Sequence, residues 1–146
     1  MTGDRFLVVR SGGARYGLSL DAVREVVDIV EPPWPVPAHS TAMRGVMALR
    51  ERHLSLIHLA SLVSGGTPPA IVGETAVVVV VDGAPMALEV DDVESVVDRT
   101  AEFVGAAPVA WASSVWRVGT ELVTVLDLGI LAERILHRGS GHVAAG

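Results

Sequence analysis

The chain has 146 residues, enough for one domain or for two small lobes that share a core, and its formal net charge is −6. It contains no Cys, Lys, Asn or Gln, which excludes thiol nucleophiles, disulfides, Cys-ligated zinc, Schiff-base lysines and the P-loop lysine. The negative charge and scattered arginines offer no footprint for nucleic acid or an anionic membrane surface, while 50% hydrophobic against 19% charged residues leaves apolar surface over for a partner.

Residues 6 to 10 and 15 to 20 are short, rich in β-branched and aromatic types, and joined by Ser11-Gly12-Gly13-Ala14, the pattern of a hairpin. Asp21 then stands where it could cap a short helix, with Val23, Val26 and Val27 at i, i+3 and i+4 forming one apolar stripe. Glu31-Pro32-Pro33-Trp34-Pro35-Val36-Pro37 cannot be helix interior or a central strand, because four prolines remove four donors. It reads as an extended loop or edge strand, either an exposed proline ligand or a connector whose Trp34 tucks against the core. Residues 40 to 49 suggest a short helix or turn leading into a strand at 53 to 59, and Ser64-Gly65-Gly66-Thr67-Pro68-Pro69 marks a boundary.

Beyond that boundary the pattern restarts. Phe6-Leu7-Val8-Val9 is echoed by Ala76-Val77-Val78-Val79, Tyr16 to Val23 by Met86 to Val93, and Leu54 to Leu59 by Val123 to Leu128, an offset of about seventy residues. Two copies of one supersecondary unit leave such a trace. The nearly all-Val run from Thr75 to Val81 predicts a strand covered on both faces, in a core shared between the copies. Asp82-Gly83-Ala84-Pro85 turns it, and a second helical stripe, Val93, Val96 and Val97, follows Asp91 with Glu94 completing a capping-box pattern. A strand at 121 to 128 and a terminal helix over 129 to 137 close the second copy, and residues 138 to 146 read as a frayed tail. With no signal peptide and no apolar run long enough to span a membrane, the expected location is the cytoplasm.

Catalytic chemistry finds little support. His39, His53, His58, His137 and His142 form no ligand pattern, no Ser sits in GxSxG, and no Gly-rich turn could cradle phosphate. No catalytic, metal or cofactor site is expected. The one pairing of interest is His58, which matches Asp127 across the repeat; an acid–base or metal-dependent enzyme using both is the reading from another class. Arg50, flanked by apolar residues just before a strand, either snorkels over Leu49 or pairs with Glu25.

Taken together, Phe6-Leu7-Val8, Tyr16-Gly17-Leu18 followed by Ala22-Val23-Arg24-Glu25-Val26, Gly45-Val46 with Leu49-Arg50, Ile57-His58-Leu59, Leu88 to Val93 and Leu126-Asp127-Leu128 resemble the CheW-like coupling proteins of bacterial chemosensory arrays, over about residues 5 to 136. The resemblance implies a mainly β fold, two SH3-like β-barrel lobes around a common hydrophobic core, with lobe 1 at about 15–65 and lobe 2 at about 75–128. It also implies a non-enzymatic adaptor linking methyl-accepting chemoreceptor tips to the regulatory domain of a CheA-type histidine kinase, at receptor clusters. Family members use a groove between the barrels for the receptor and an edge of the first barrel for the kinase. By residue-level match, Val23, Glu25, Gly45, Val46, Leu49, Arg50 and Glu51 belong in or beside the protein-binding region.

Departures from the family pattern concentrate after Leu49. The usual Asn-Leu-Arg-Gly reads Ala48-Leu49-Arg50-Glu51, a strand proline is Ser55, and an aspartate is His58. A glutamate where the turn needs φ > 0 would be strained, so the hairpin after Arg50 is expected to change shape. The stretch between Pro108 and Leu122 is also shorter than is typical. The resemblance thus implies a full coupler, or a divergent accessory one that binds receptor alone; self-association through an exposed barrel edge is a third reading.

Overall fold

A computed structural model describes residues 5–37, 40–98 and 101–135. His39, His137 and His142 and the tail over 138–146 lie outside them. Within the described residues, eleven strands run in the order β1 (Phe6–Ser11), β2 (Ala14–Ser19), β3 (Val23–Asp28), β4 (Met43–Leu49), β5 (Arg52–His58), β6 (Thr75–Val81), β7 (Ala84–Val90), β8 (Asp92–Val97), β9 (Glu102–Ala106), β10 (Ala112–Val118) and β11 (Glu121–Leu126). Helix α1 (Leu59–Ser64) follows β5, and residues 128–135 are helical after β11.

The strands form two sheets, β8-β1-β2-β11-β10-β9 and β3-β6-β7-β5-β4. Each sheet takes strands from both sequence copies. The third strand of each copy crosses over, so that β3 pairs with β6 and β8 pairs with β1. Registers obey the repeat closely: Val26↔Val77 in one sheet corresponds to Leu7↔Val96 in the other, and the parallel pair Leu56↔Ala87 corresponds to Val125↔Gly17. Even the irregularities recur. The ladders skip Arg24 and Glu94 in β3 and β8, and Arg44 and Ser113 in β4 and β10, each an extra residue of the β-bulge kind.

This arrangement corrects three expectations. Residues 23–28 and 92–97 are strands, not helices, because their β-branched valines find a ladder on β6 and β1. A three-residue stripe over so short a segment fits either period, and tertiary pairing decides. Asp91 accordingly caps no helix: its Oδ2 accepts from the Gly12 N–H at 3.0 Å and so ties the β1–β2 turn to the start of β8. Residues 43–49 are strand β4 rather than a helix or turn.

The all-Val strand is covered on both faces, as its composition predicts. Val77 and Val79 of β6 join Leu7 and Val9 of β1, with Leu18, Ile57, Leu88, α1 and Leu131, in one core between the sheets. The alternate residues Ala76 and Val78 face inward under their own sheet with Met47, Leu54 and Leu56, while Phe6 and Val8 do so with Val97 and Val123. Period-2 alternation thus assigns each face of a central strand to a different core. The molecule is mainly β, with two SH3-like lobes about a shared hydrophobic centre.

The two hairpins that open the copies use two-residue turns with positive φ at both positions, Gly12-Gly13 (60° and 83°) and Asp82-Gly83 (50° and 80°). The connector between copies is fastened differently. Arg44, the bulged residue of β4, lies against Glu89 of β7, and their side chains are only 8% and 5% exposed. The Arg44 Nη1 donates to the Pro69 carbonyl at 2.6 Å and Nη2 to that of Ile71 at 3.3 Å, while Glu89 Oε2 accepts from the Gly73 N–H at 2.8 Å. One ion pair therefore holds three residues of the connector.

Because the central core serves both sheets, Leu88→Ala is expected to lower stability by about 2–5 kcal/mol. Single-tryptophan variants retaining Trp34 or Trp116, on different lobes, should report the same urea midpoint; two separated transitions would show the lobes to be independent. Glu89→Gln strands a buried guanidinium, and urea unfolding should show a loss of roughly 3–5 kcal/mol.

Candidate protein-docking site

In the five-stranded sheet, β3 and β4 are the outermost strands. Curling of the sheet brings β3 to the tip of the β4–β5 hairpin, where a two-pronged ion pair joins them. The Arg50 Nη1 donates to Glu25 Oε2 at 2.9 Å and its Nη2 to Glu25 Oε1 at 2.7 Å. Of the two alternatives for Arg50, the pairing is the one realised. It is an open pair, with Arg50 68% and Glu25 34% exposed, so it presents charge and geometry more than it adds stability. Hydrogen bonding from Arg50 holds the Glu25 carboxyl below the usual carboxylate range, and Glu25 raises the arginine in turn.

Arg50 takes a left-handed φ of 56° in the two-residue connection between β4 and β5. Its repeat mate Gly119 has φ 63° in the equivalent turn between β10 and β11. A residue with a Cβ adopts that conformation at a cost that glycine avoids; the two-residue hairpin turn imposes it at Arg50 as at Gly119. Glu51, where strain was expected, is not among the positive-φ residues, and the ladder continues without interruption from Val46↔Ser55 to Leu49↔Arg52. The hairpin after Arg50 is therefore regular, because the left-handed position falls one residue earlier.

The remaining candidate residues divide among three places. Leu49 packs on the inner core of this lobe and Glu51 is exposed beside Arg50. Gly45 and Val46 lie under the proline segment: the Trp34 N–H donates to the Val46 carbonyl at 2.8 Å and the Val46 N–H to the Trp34 carbonyl at 2.9 Å. A Cβ on Gly45, whose φ is 144°, would come within 2.2 Å of the Trp34 oxygen, so only glycine permits this approach. Val23 sits apart from both, paired with Val79 and packed on the shared core.

The proline segment is thus an edge element held by one bridge, with Trp34 57% exposed and its ring tilted against that of His53, centroids 5.6 Å apart. Neither sequence alternative fully describes it, since Trp34 is pinned through its backbone and left open through its ring. Val26, 46% exposed, alternates to the other face of β3 from Glu25, since it pairs with Val77 and Glu25 with Val78.

His58 and Asp127 have separate duties. His58 Nδ1 accepts from the Ser61 N–H at 3.3 Å and contacts the Ser61 hydroxyl at 2.7 Å, capping α1. Asp127 Oδ1 accepts from the Ile130 N–H at 3.1 Å, capping the terminal helix. Their equivalence across the repeat is that of two helix caps. Among the described residues no group of three His, Asp or Glu side chains is gathered as metal ligands. Arg44 and Glu89 escaped sequence reasoning, although a lone Glu within the apolar run Leu88-Glu89-Val90 was a signal for a buried partner.

A model of the CheW-like domain matches residues 5–135 of the chain. Among solved structures, the crystal structure of the scaffolding protein TtCheW from Thermoanaerobacter tengcongensis is similar, with a TM-score of 0.74 and 22% sequence identity over 90% of this chain and 92% of that one. A comparison with curated proteins found no match.

Burial, the largest cause, holds the His58 imidazole below its usual range, against opposing pulls from Glu89 and Asp91. The unfolded chain then takes up this proton more readily than the folded one, so stability is complete above the ordinary histidine pKa of about 6.5 and declines as pH falls below it. His58→Asn retains a capping oxygen and removes the titration. Denaturation between about pH 7 and pH 5 should show a flatter stability profile for the variant; an unchanged slope would place the acid sensitivity elsewhere.

Proposed function

The chain belongs to the CheW-like domain family, and we propose that it is a non-enzymatic adaptor linking chemoreceptor tips to the regulatory domain of a CheA-type kinase at receptor clusters. The observation that carries this reading is the open Glu25–Arg50 pair. It bridges the two outer strands of one lobe, is held in a strained turn, and serves stability little. A strained arginine on a rigid hairpin, oriented by a carboxylate, is a preorganised recognition group for a partner surface.

Glu25, Gly45, Val46, Leu49, Arg50 and Glu51 form or support the docking region in this reading, and Val23 anchors the start of β3 on the shared core. Glu25, Arg50 and Glu51 offer directional polar contacts. Gly45 and Val46 hold the proline segment, and Leu49 fixes the base of the hairpin. The uninterrupted hairpin end, from Val46↔Ser55 to Leu49↔Arg52, supports the full-coupler reading over the receptor-only alternative. The polar roles of His58 and Asp127 as caps account for both residues without chemistry.

Arg50→Ala should leave the fold intact and weaken binding to a receptor signalling tip, to the kinase regulatory domain, or to both, by about tenfold. Titration calorimetry with each purified partner reads this directly. Full affinity for both in the variant, or no binding of either by the wild-type chain, would sink the adaptor reading at this site.

A further inference from the structure

The two most exposed large apolar side chains among the described residues are Ile71 at 85% and Val30 at 84%. They lie on neighbouring segments. One is the chain leaving β3, residues 29–32; the other is the end of the connector, residues 71–74, and the Ile29 N–H donates to the Glu74 carbonyl at 2.8 Å between them. Ile29, Val30, Pro32 and Val72 line an open hollow of about 340 Å³ whose other walls include Glu31 and Glu74. A second hollow, of about 180 Å³, shares Val30, Glu31 and Pro32 and reaches Trp34.

Exposure here does not come from a loose loop. The buried Arg44–Glu89 pair ties the backbone at Pro69, Ile71 and Gly73, and the opposite wall is tied through Ile29. Both walls are fixed before anything binds, which lowers the ordering cost of a complex. The charge is one-sided as well. Asp28, Glu31 and Glu74 lie in residues 28–37 and 65–75, which contain no Arg, Lys or His. Arg44, which donates to the connector at Pro69 and Ile71, is matched by Glu89.

We propose that this hollow is a docking site for a partner polypeptide that presents an aliphatic side chain flanked by Lys or Arg, held in place by the Arg44–Glu89 clamp. The apolar walls receive the aliphatic anchor, and the carboxylates of Glu31 and Glu74 meet the flanking cations and set its orientation. The site is distinct from the Glu25–Arg50 region: Val30 lies five residues along the chain from Glu25, roughly 15 Å if extended. It goes beyond the adaptor reading and stands whether or not that reading holds.

The test is fluorescence anisotropy of the full chain with three labelled peptides of equal length: a leucine pair flanked by lysines, the same pair flanked by glutamates, and lysine flanks around serines. The first should bind about tenfold more tightly than either of the others, and its affinity should fall with added salt. Val30→Ser and Glu74→Lys, both at exposed positions, should each weaken it by about fivefold or more with unfolding midpoints unchanged. Glu102→Lys, on the other lobe, should have little effect. Equal affinity for the three peptides, no binding of the first, full affinity in Val30→Ser, or an equal loss in Glu102→Lys would overturn the proposal.

Discussion

β1 and β6 have no solvent face, and each takes as its outer neighbour a strand from the other copy of the repeat. β3 leaves the first copy to pair with β6, and β8 leaves the second to pair with β1. Without that exchange, the outer edges of β1 and β6 would carry unpaired donors and acceptors, and the valines between the sheets would face water. The shared core follows directly. Leu7 and Val9 meet Val77 and Val79 because the same strands that begin each lobe also form its wall against the other. α1 and the terminal helix, each opened by a capping side chain, contribute Leu59, Leu62 and Leu131 to that core.

Against so regular a repeat, the places where the copies differ stand out. In one hairpin turn the left-handed position is Gly119; in the other it is Arg50, which meets Glu25 across the lobe. The bulged residue is Ser113 in one copy and Arg44 in the other, and the residue matching Glu89 is Ser19. Proline chemistry makes the third difference. Residues 102–106 form the full strand β9, whereas the matching segment around Trp34 manages a single bridge, since its flanking prolines have no N–H to give a ladder. All three departures on the first-copy side fall on or against one sheet, and they concentrate charge, strain and exposed apolar area there. A symmetrical scaffold has thus acquired an asymmetric surface with few substitutions.

The two ion pairs illustrate how burial divides labour between similar chemistry. Arg44–Glu89 is enclosed and hydrogen-bonded to three backbone groups, so breaking it strands a charge. Arg50–Glu25 has comparable geometry in solvent, where screening leaves it little to do for the fold. The first arranges the connector and the second faces outward. Function in an adaptor of this family depends on surfaces, and the enclosed pair serves by fixing which surfaces are shown.

Much of the architecture was legible in the residues alone. The repeat offset, the doubly covered Val run, the Gly-rich and Asp-Gly turns and the family resemblance all depend on local pattern and order, which a linear sequence carries in full. The valines at 23–27 and 93–97 were misread as helical because a stripe of three apolar residues satisfies either period, and only the ladder on a strand some fifty or eighty residues away decides between them. Likewise, no local signal says that the left-handed turn position falls on Arg50 rather than Glu51, or that Arg44 is the residue its ladder skips. The Glu25–Arg50 pairing could be suspected, but its openness could not, since exposure follows from how the sheet curls. What the sequence by itself determined was the unit, its duplication and its apolar faces. What only the tertiary structure decided was which copy completes which sheet, and hence which charges are enclosed and which are left in solvent, because these depend on contacts between residues far apart in the chain.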